Sequence, residues 1–466
     1  MRLEIAYLRA PCFVDGTELR FSHGRRVDLD AARARAVQRV FEGGATRADV
    51  LADLGPEAAE SVDLDDPEGL IGVIEVEVPD GVDFVMVEQG YGGVYVHSVE
   101  LFRGLGRRWT GMLLSPVDPL FETEPIEGVV SLDGLKRERP ELEYFHWMQI
   151  MRSLVKLVPA ELLLIMHRSQ SLLLFDLLDE RRTVIYCDGF YDRMFRNVQQ
   201  FDLDDSPERR ARTLRELHYA AGSSPRGYMG ISGHPNVSIH QLVAGERSLR
   251  AAVENWCWGA AQARDFHAAF PGLGDSVRLM LPFTDPELFR PQDVDRRRRV
   301  LFTTTMHNID RKGLPELVGV MRRLRTVEAD VIVRQPQFLP RIPDGVAARM
   351  ERRSLPKPEM VDLYHRAWLN FRVSRDESSP MSILELMTCE VPQIVSTVVA
   401  DQIPIIEDGA TGFVIDPDDE ERATWAVRTL LEDERLRDRM GRECRRRALT
   451  LSLDSRVGVF EELIHA

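Results

Sequence analysis

From Val82 onward the chain alternates short runs of β-forming residues with longer runs of helical periodicity, and it does so twice. The first series holds the strand-like runs "VDFVMVE", "WTGMLLS", "AELLLIM" and "TVIYCDGF", with the glycine turn "QGYGG" and the helical "VYVHSVELFRGL" between the first two. "SVRLMLPF" leads into a polar, proline-punctuated stretch, "TDPELFRPQDVDRRRR". A second series opens at Val300 with strands "VLFTTT", "DVIVRQ", "WLNFRVS", "PQIVS" and "TGFVID". Its helices are "LPELVGVMRRLR", "VAARMERR", "PEMVDLYHRA", "MSILELMT" and "EERATWAVRTLLED". Strands joined by helical crossovers pair in parallel and are covered on both faces. The pattern therefore predicts two α/β lobes joined by one linker and facing a cleft, with ligands held at the carboxyl ends of the strands.

Residues 1–80 stand apart as a small α+β module. Strand-like "LEIAYL" and "GLIGVIEVEV" bracket "DLDAARARAVQRVFEGGATRADVLADLG", whose Asp-rich entry and Gly-Gly break predict two helices and a turn. The outline resembles a winged-helix or leader-peptide-recognition module. A DNA-reading second helix is basic, whereas "ATRADVLADLG" carries one arginine and two aspartates, so a packing or oligomerisation appendage is the other reading.

Charge and cysteine usage narrow the function classes. A formal charge of −15 over 466 residues disfavours nucleic acid and anionic membranes as partners. The five cysteines are widely spaced and odd in number, which suggests neither a disulfide framework nor a zinc site and fits a cytoplasmic protein. "MRLEIAYLRAPCFVDG" lacks the apolar core of a secretory signal, and "LVPAELLLIMHRSQSLLLFDLL" is interrupted at His167 and Arg168, so no membrane span is expected. The runs Arg296–Arg299 and Arg445–Arg447 read as solvated faces.

"ESSPMSILELMTCEVPQIVS" carries the chemistry. Glu377 follows the strand "WLNFRVS"; Ser379 is expected to cap a helix with Pro380 in its first turn. The amides of Met381 and Ser382 then point outward at a positive helix end, an anion site. Glu385 lies one turn after Met381 on the same face, and helical side chains lean toward the N-terminus. Two carboxylates flanking an anion are suited to accepting hydroxyl hydrogen bonds on either side of it. A sugar, a diphosphate and a ribose make such a ligand.

Glu377 and Glu385, with "SSPMSILELMTCEVPQIVS" around them, resemble the E-x7-E motif of retaining GT-B glycosyltransferases of the family 4 type. "LPKPEMVDLYHRAWLNFRVSRDESSP", "EDGATGFVIDPDDEERATWAVRTLLEDERLRDRMG" and "SVRLMLPFTDPELFRP" follow the family's order, covering about residues 230–455. The resemblance implies a GT-B architecture of two Rossmann-like lobes, an acceptor-side lobe at 81–290 and a donor-side lobe at 297–452, with a C-terminal helix at 453–466 packing back on the first. It implies a hexosyltransferase-type enzyme that moves a sugar from a nucleotide-diphosphate sugar to an acceptor with retention; the module-like outline of residues 1–80 adds a small-molecule or peptide acceptor, as in natural-product or peptide tailoring.

The implied roles fall on particular residues. Glu377 would bind the transferred sugar, Glu385 the ribose, and the Met381 and Ser382 amides the diphosphate. Lys312 of "RKG" would neutralise the departing diphosphate. His307 stands where the family carries an arginine; it is a pH-dependent substitute or a solvent-facing loop residue, with Arg311 able to reach in instead. Gly92 and Gly93 match the family's glycine loop near the donor phosphate, or form a plain tight turn. Asp188 replaces the acceptor-side histidine and either orients an acceptor or caps a turn. Glu390 replaces a glycine in a left-handed turn, and the loop "VVADQIP" lacks a glycine pair. No metal or other cofactor is implied; the strings Asp63/Asp65 and Asp202/Asp204 follow no strong strand. The departures motivate an alternative, a catalytically degenerate binding or regulatory protein.

Overall fold

The structure, a computed structural model, describes residues 1–21, 24–59, 62–66, 69–88, 92–118, 126–187, 206–222, 238–294, 299–305, 311–324, 328–334, 348–351, 355, 357–377 and 379–465. The chain divides into two compact units, Met1–Trp256 with Gly272–Ser276 and Glu462–Ala466, and Cys257–Pro271 with Val277–Glu461.

The first unit begins with β1 (Arg2–Leu8), the antiparallel meander β2 (Cys12–Asp15), β3 (Glu18–Phe21) and β4 (Arg26–Asp28), and β5 (Ile71–Glu77), which pairs antiparallel with β1 from Arg2↔Glu77 to Leu8↔Ile71. The expected helical middle is Ala31–Glu42, capped by Asp30 accepting from the Arg33 amide at 2.8 Å, and Arg47–Leu54, closed by a Thr46/Asp49 capping box. The meander is a finding the sequence pattern did not yield. Gly16, φ +66°, opens its two-residue hairpin loop, a type II′ pattern that asks for glycine first. A cavity of about 180 Å³ in this region is lined by Leu29, Ala36, Val37, Leu54, Leu64 and Ile71, among others.

These first residues are tied closely to the helix Tyr144–Leu157. Gln149 Oε1 accepts from the Leu8 amide at 2.8 Å, the Gly44 amide donates to Ser153 Oγ at 2.9 Å, and Lys156 Nζ donates to the Gly43 carbonyl at 3.3 Å. Arg152, fully buried, donates to the Glu42 carbonyl at 2.9 Å and makes a two-pronged pair with Asp176 at 2.8 Å. Gly43 and Gly44 have φ of +83° and +82°, and a Cβ on Gly44 would lie 2.6 Å from Lys156 Cδ. The Gly-Gly break therefore also lets the backbone approach this helix.

The remaining strands of the first unit are β6 (Phe84–Val87), β7 (Gly111–Ser115), β8 (Val129–Ser131), β9 (Leu162–Ile165), β10 (Thr183–Cys187) and β11 (Glu254–Cys257). They hydrogen-bond in the order β8-β7-β6-β9-β10-β11, with the β7–β8, β6–β7, β6–β9 and β9–β10 pairs parallel. In chain order this reads 3-2-1-4-5-6, the doubly wound arrangement whose switch point lies between the first and fourth strands. Trp109 Nε1 lies 3.3 Å from His465 Nε2, placing the last described residue against this unit.

The second unit carries the short β12 (Val277–Leu279), then β13 (Arg299–Thr305), β14 (Glu328–Arg334), β15 (Ala348–Glu351), β16 (Leu369–Arg372), β17 (Gln393–Ser396) and β18 (Gly412–Ile415). Its six-stranded sheet runs β15-β14-β13-β16-β17-β18, parallel throughout, and again reads 3-2-1-4-5-6. Alternate residues of each strand serve opposite faces. Val300, Phe302, Leu369 and Phe371 pack with Leu317, Val320, Val427 and Leu430 of the helices Leu314–Leu324 and Glu420–Glu432. Leu301 packs with Met360, Tyr364 and Leu386 on the other side.

Three local expectations change. "VAARMERR" is not a helix: Ala348–Glu351 is the edge strand β15, paired parallel with β14. Its helix-favouring composition yields to the backbone hydrogen bonds offered by β14. Thr397–Gln402, read as loop, is a helix capped by Ser396 Oγ accepting from the Val399 amide at 3.3 Å. Ser379 is not the cap of the helix Met381–Thr388; Pro380, with extended ψ of 116°, is, and it has no side-chain donor or acceptor to offer. The left-handed turn at Glu390 is found, with φ +59°. No described helix is long and apolar enough to cross a membrane.

Relieving the left-handed strain by Glu390→Gly should raise the unit's stability by about 1 kcal/mol, seen as a higher denaturant midpoint. Arg152→Ala, which strips a buried cation from Asp176 and two carbonyls, should cost about 3 kcal/mol on the same measurement.

Candidate functional site

Neighbouring strands that send their crossovers to opposite faces leave a gap at their carboxyl ends. In the second unit those strands are β13 and β16, in register at Val300↔Leu369 and Leu301↔Asn370. The chain leaving β13 re-enters the described residues at Arg311-Lys312-Gly313 before the helix Leu314–Leu324. The chain leaving β16 passes through Val373–Glu377 and reaches the helix Met381–Thr388. Gly313 holds the two together. Its φ is +92°, and a Cβ there would come 2.4 Å from the Val373 carbonyl oxygen, so a side chain would push the segments apart.

Lys312 Nζ forms an ion pair with Glu377 Oε2 and lies 3.5 Å from the Asp376 carbonyl. Glu377 Oε1 accepts from Ser374 Oγ at 3.2 Å, and Ser396 Oγ fixes the Ser374 carbonyl at 2.5 Å. Burial holds the Lys312 ammonium below the usual lysine pKa; Glu377 opposes this, and Arg372 adds to the lowering. Arg311 does not join this pair: it binds Asp376, on the exposed side of the same loop. Arg375 ties the loop outward to Glu316 at 2.8 Å and Asp418 at 2.7 Å.

At the helix itself, Met381 and Ser382 stand in the first turn, where amides have no carbonyl one turn earlier in the helix. The Ile383 amide reaches back to Pro380 O at 3.0 Å. Ser379 is 4% exposed and its Oγ has no hydrogen-bond partner among the described residues. A buried hydroxyl left so is costly unless a ligand completes it. Glu385 is buried, and its Oε2 accepts from Tyr364 Oη at 2.8 Å. Thus Lys312, Glu377, Ser379, Pro380, Met381, Ser382 and Glu385 all belong to the segments at this gap, and Arg311 lies beside it.

Gly92 and Gly93 open the helix Gly92–Leu105 after β6, at the corresponding switch point of the first unit. His307 and Asp188 lie outside the described residues, as do Asp202 and Asp204. Asp63 Oδ1 accepts from the Asp65 amide at 2.9 Å and Asp65 pairs with Arg47 at 2.9 Å; among the described residues no group of three His, Cys, Asp or Glu side chains is arranged for a metal. None of the five cysteines forms a disulfide.

Sequence reasoning missed several buried polar groups. Arg372 reaches into the gap from β16, donating to Thr303 Oγ1 and Ser382 Oγ at 3.0 Å each. Its signal was available: a cation inside the apolar run "WLNFRVS", where both faces are covered. Tyr364 gave no signal, since only folding brings it to Glu385. In the first unit Glu88 is buried past β6, accepting from Ser98 Oγ at 3.2 Å and, through its carbonyl, from Gln170 Nε2 at 3.2 Å. His167, read only as an interruption of an apolar run, is buried just past β9.

Tyr364→Phe removes the donor to Glu385 Oε2 and should cost about 1–3 kcal/mol of stability, read from the denaturant midpoint.

Residues 353–447, which contain most of this site, match the family described as Glycosyl transferases group 1. The chain is 25% identical over 221 residues to D-inositol 3-phosphate glycosyltransferase 1 of Catenulispora acidiphila, over 41% of this chain and 52% of that protein. It therefore spans about half the length of that curated relative. Among solved structures, Anabaena HepE in complex with UDP and glucose superposes with a TM-score of 0.56 at 14% identity, over 83% of this chain and 100% of that one. Sucrose-phosphate synthase of Thermosynechococcus elongatus does so with a TM-score of 0.56 at 14% identity, over 82% and 98%. Residues 353–447 thus match a glycosyl transferases group 1 domain, and the fold shared with these structures is the GT-B fold of two Rossmann-like units.

Proposed function

We propose that the protein is a retaining glycosyltransferase of the family 4 type that transfers a sugar from a nucleotide-diphosphate sugar to an acceptor. The observation that carries this reading is the helix tip at Met381, set at the switch point of a doubly wound sheet, with Lys312 and Glu377 on one side and Glu385 beyond its first turn. The group 1 match over residues 353–447, which include Glu377, Met381 and Glu385, and a structural neighbour holding UDP and glucose support it.

The diphosphate takes the amides of Met381 and Ser382, and the Ser379 hydroxyl supplies a further donor. Glu385, steadied by Tyr364, accepts from the ribose hydroxyls. Lys312 exchanges one oxygen of Glu377 for the diphosphate, and the freed carboxylate oxygen receives a sugar hydroxyl. In the chemical step the bond from the anomeric carbon to the diphosphate oxygen breaks, and its electron pair leaves with the diphosphate. A bond to the acceptor oxygen forms on the same face, and the acceptor's proton passes to the diphosphate. Lys312 and the helix amides stabilise the charge that grows there, without a required metal. Buried cysteines that form no disulfide fit a cytoplasmic enzyme.

Lys312→Ala should lower turnover about a hundredfold or more while sparing nucleotide binding, and Glu385→Ala should abolish the thermal shift given by the cognate nucleotide among UDP, GDP, dTDP and ADP. Nucleotide release from sugar donors measures the first effect; unchanged release in the lysine variant would count against its role. A degenerate binding protein would show the thermal shift without release. Because the Lys312 pKa is lowered, turnover should fall as pH rises through a value below that of an ordinary lysine. Lys312→Arg should remove that alkaline limb. EDTA should leave turnover unchanged; restoration by manganese after EDTA loss would overturn the metal-free reading.

The cavity near Leu54 suits an apolar segment of a peptide-borne or other natural-product acceptor. Filling it with Val37→Trp should raise the acceptor KM and leave donor binding intact, whereas the reverse pattern would rule out that role.

A further inference from the structure

Four residues of β16 are buried, and the last, Arg372, is a cation. Its side chain is 5% exposed. Nη2 donates to Thr303 Oγ1 on β13 and to Ser382 Oγ in the first turn of the site helix, at 3.0 Å each. Nη1 lies 3.9 Å from Glu377 Oε1, and Cζ sits 5.8 Å from the centroid of the Phe302 ring. Lys312 holds the other oxygen of the same carboxylate. Arg372 and Lys312 thus face different oxygens of one buried carboxylate beside the positive end of a helix. Arg311 and Asp376 form a separate, balanced pair.

We infer that Arg372 is the positioning residue of this site: it retains Glu377 and the first helical turn, and so leaves Lys312 as the cation that transfers to an incoming diphosphate. The division of labour follows from placement. Arg372 is 5% exposed and anchored to β13, to the site helix and to Glu377, whereas Lys312 is 15% exposed and has the Asp376 carbonyl as its other described acceptor. An arginine fork can hold a hydroxyl pair and a carboxylate at once, which a lysine point charge cannot do with fixed geometry. The inference rests on the helix tip being a diphosphate site.

Arg372 also acts on Lys312 through space. The charged groups facing Lys312 are Glu377 and Arg372 from the β16 side and Arg311 from its own segment. Burial lowers the lysine pKa most, Glu377 raises it, and Arg372 and then Arg311 lower it further. Removing the Arg372 charge therefore raises the Lys312 pKa and keeps its amine protonated to higher pH.

The test labels Lys312 with an amine-reactive reagent at fixed, mildly alkaline pH and reads the peptide by mass spectrometry, for the parent protein, Arg372→Gln, Arg372→Met and Arg372→Lys. Labelling should slow severalfold in the two neutral variants and match the parent in Arg372→Lys. UDP, GDP, dTDP or ADP, whichever shifts the parent's melting, should protect Lys312 in the parent and lose most of that protection in the neutral variants. Equal labelling rates in all four proteins would overturn the inference, as would a failure of both neutral variants to fold, which would make the residue structural only. If no nucleotide protects the parent while the labelling rates still separate, the diphosphate reading fails and the effect of Arg372 on Lys312 stands.

Discussion

The ion pair between Lys312 and Glu377 exists because two chain segments leave neighbouring strands at one edge of the sheet and are held within backbone distance of each other. The absence of a side chain at Gly313 sets that distance, and the Val373 carbonyl occupies the space a Cβ would need. From this contact the rest of the site is arranged. Ser374 bonds Glu377, Ser396 bonds the Ser374 carbonyl, and β17 thereby braces the loop that leads to the helix tip. The site is assembled from three adjacent strands rather than from one motif, and the strand order, not local propensity, brings them together.

The same order limits what the carboxylates can do. Glu377 is engaged by Lys312, Ser374 and Arg372, and Glu385 by Tyr364, so each acid is held in one orientation. Orientation held by buried partners loses little entropy when a substrate hydroxyl arrives. Ser379 contrasts with them: its buried hydroxyl has no hydrogen-bond partner among the described residues.

Much of this was legible before folding, and the reasons are physical. Apolar runs separated by helical periods gave both sheets, because parallel strands buried on two faces leave a strong signature. The placement of Glu377 and Glu385 about a helix start was legible because a helix beginning after a strand fixes which way their segments run, whereas Lys312 was brought in only by the resemblance to a known family. The left-handed turn at Glu390 was legible only because the resembled family carries glycine there, and its φ is +59°. What failed was local propensity against tertiary pairing: Ala348–Glu351 reads as helix and lies as an edge strand. The one-residue difference between a serine cap at 379 and a proline cap at 380 also escaped, since capping preference is a matter of about 1 kcal/mol. Arg372 and Tyr364 are long-range participants, and a single sequence carries little record of which distant strand or helix will face which.

The contacts between the first residues and the helix Tyr144–Leu157 bear on engineering. A segment whose backbone is completed by Gln149, Arg152, Ser153 and Lys156 is not a detachable cassette. Transplanting it to another scaffold would have to carry that helix as well, and a chimera joined at residue 80 alone would leave orphaned polar groups on both the graft and its former host.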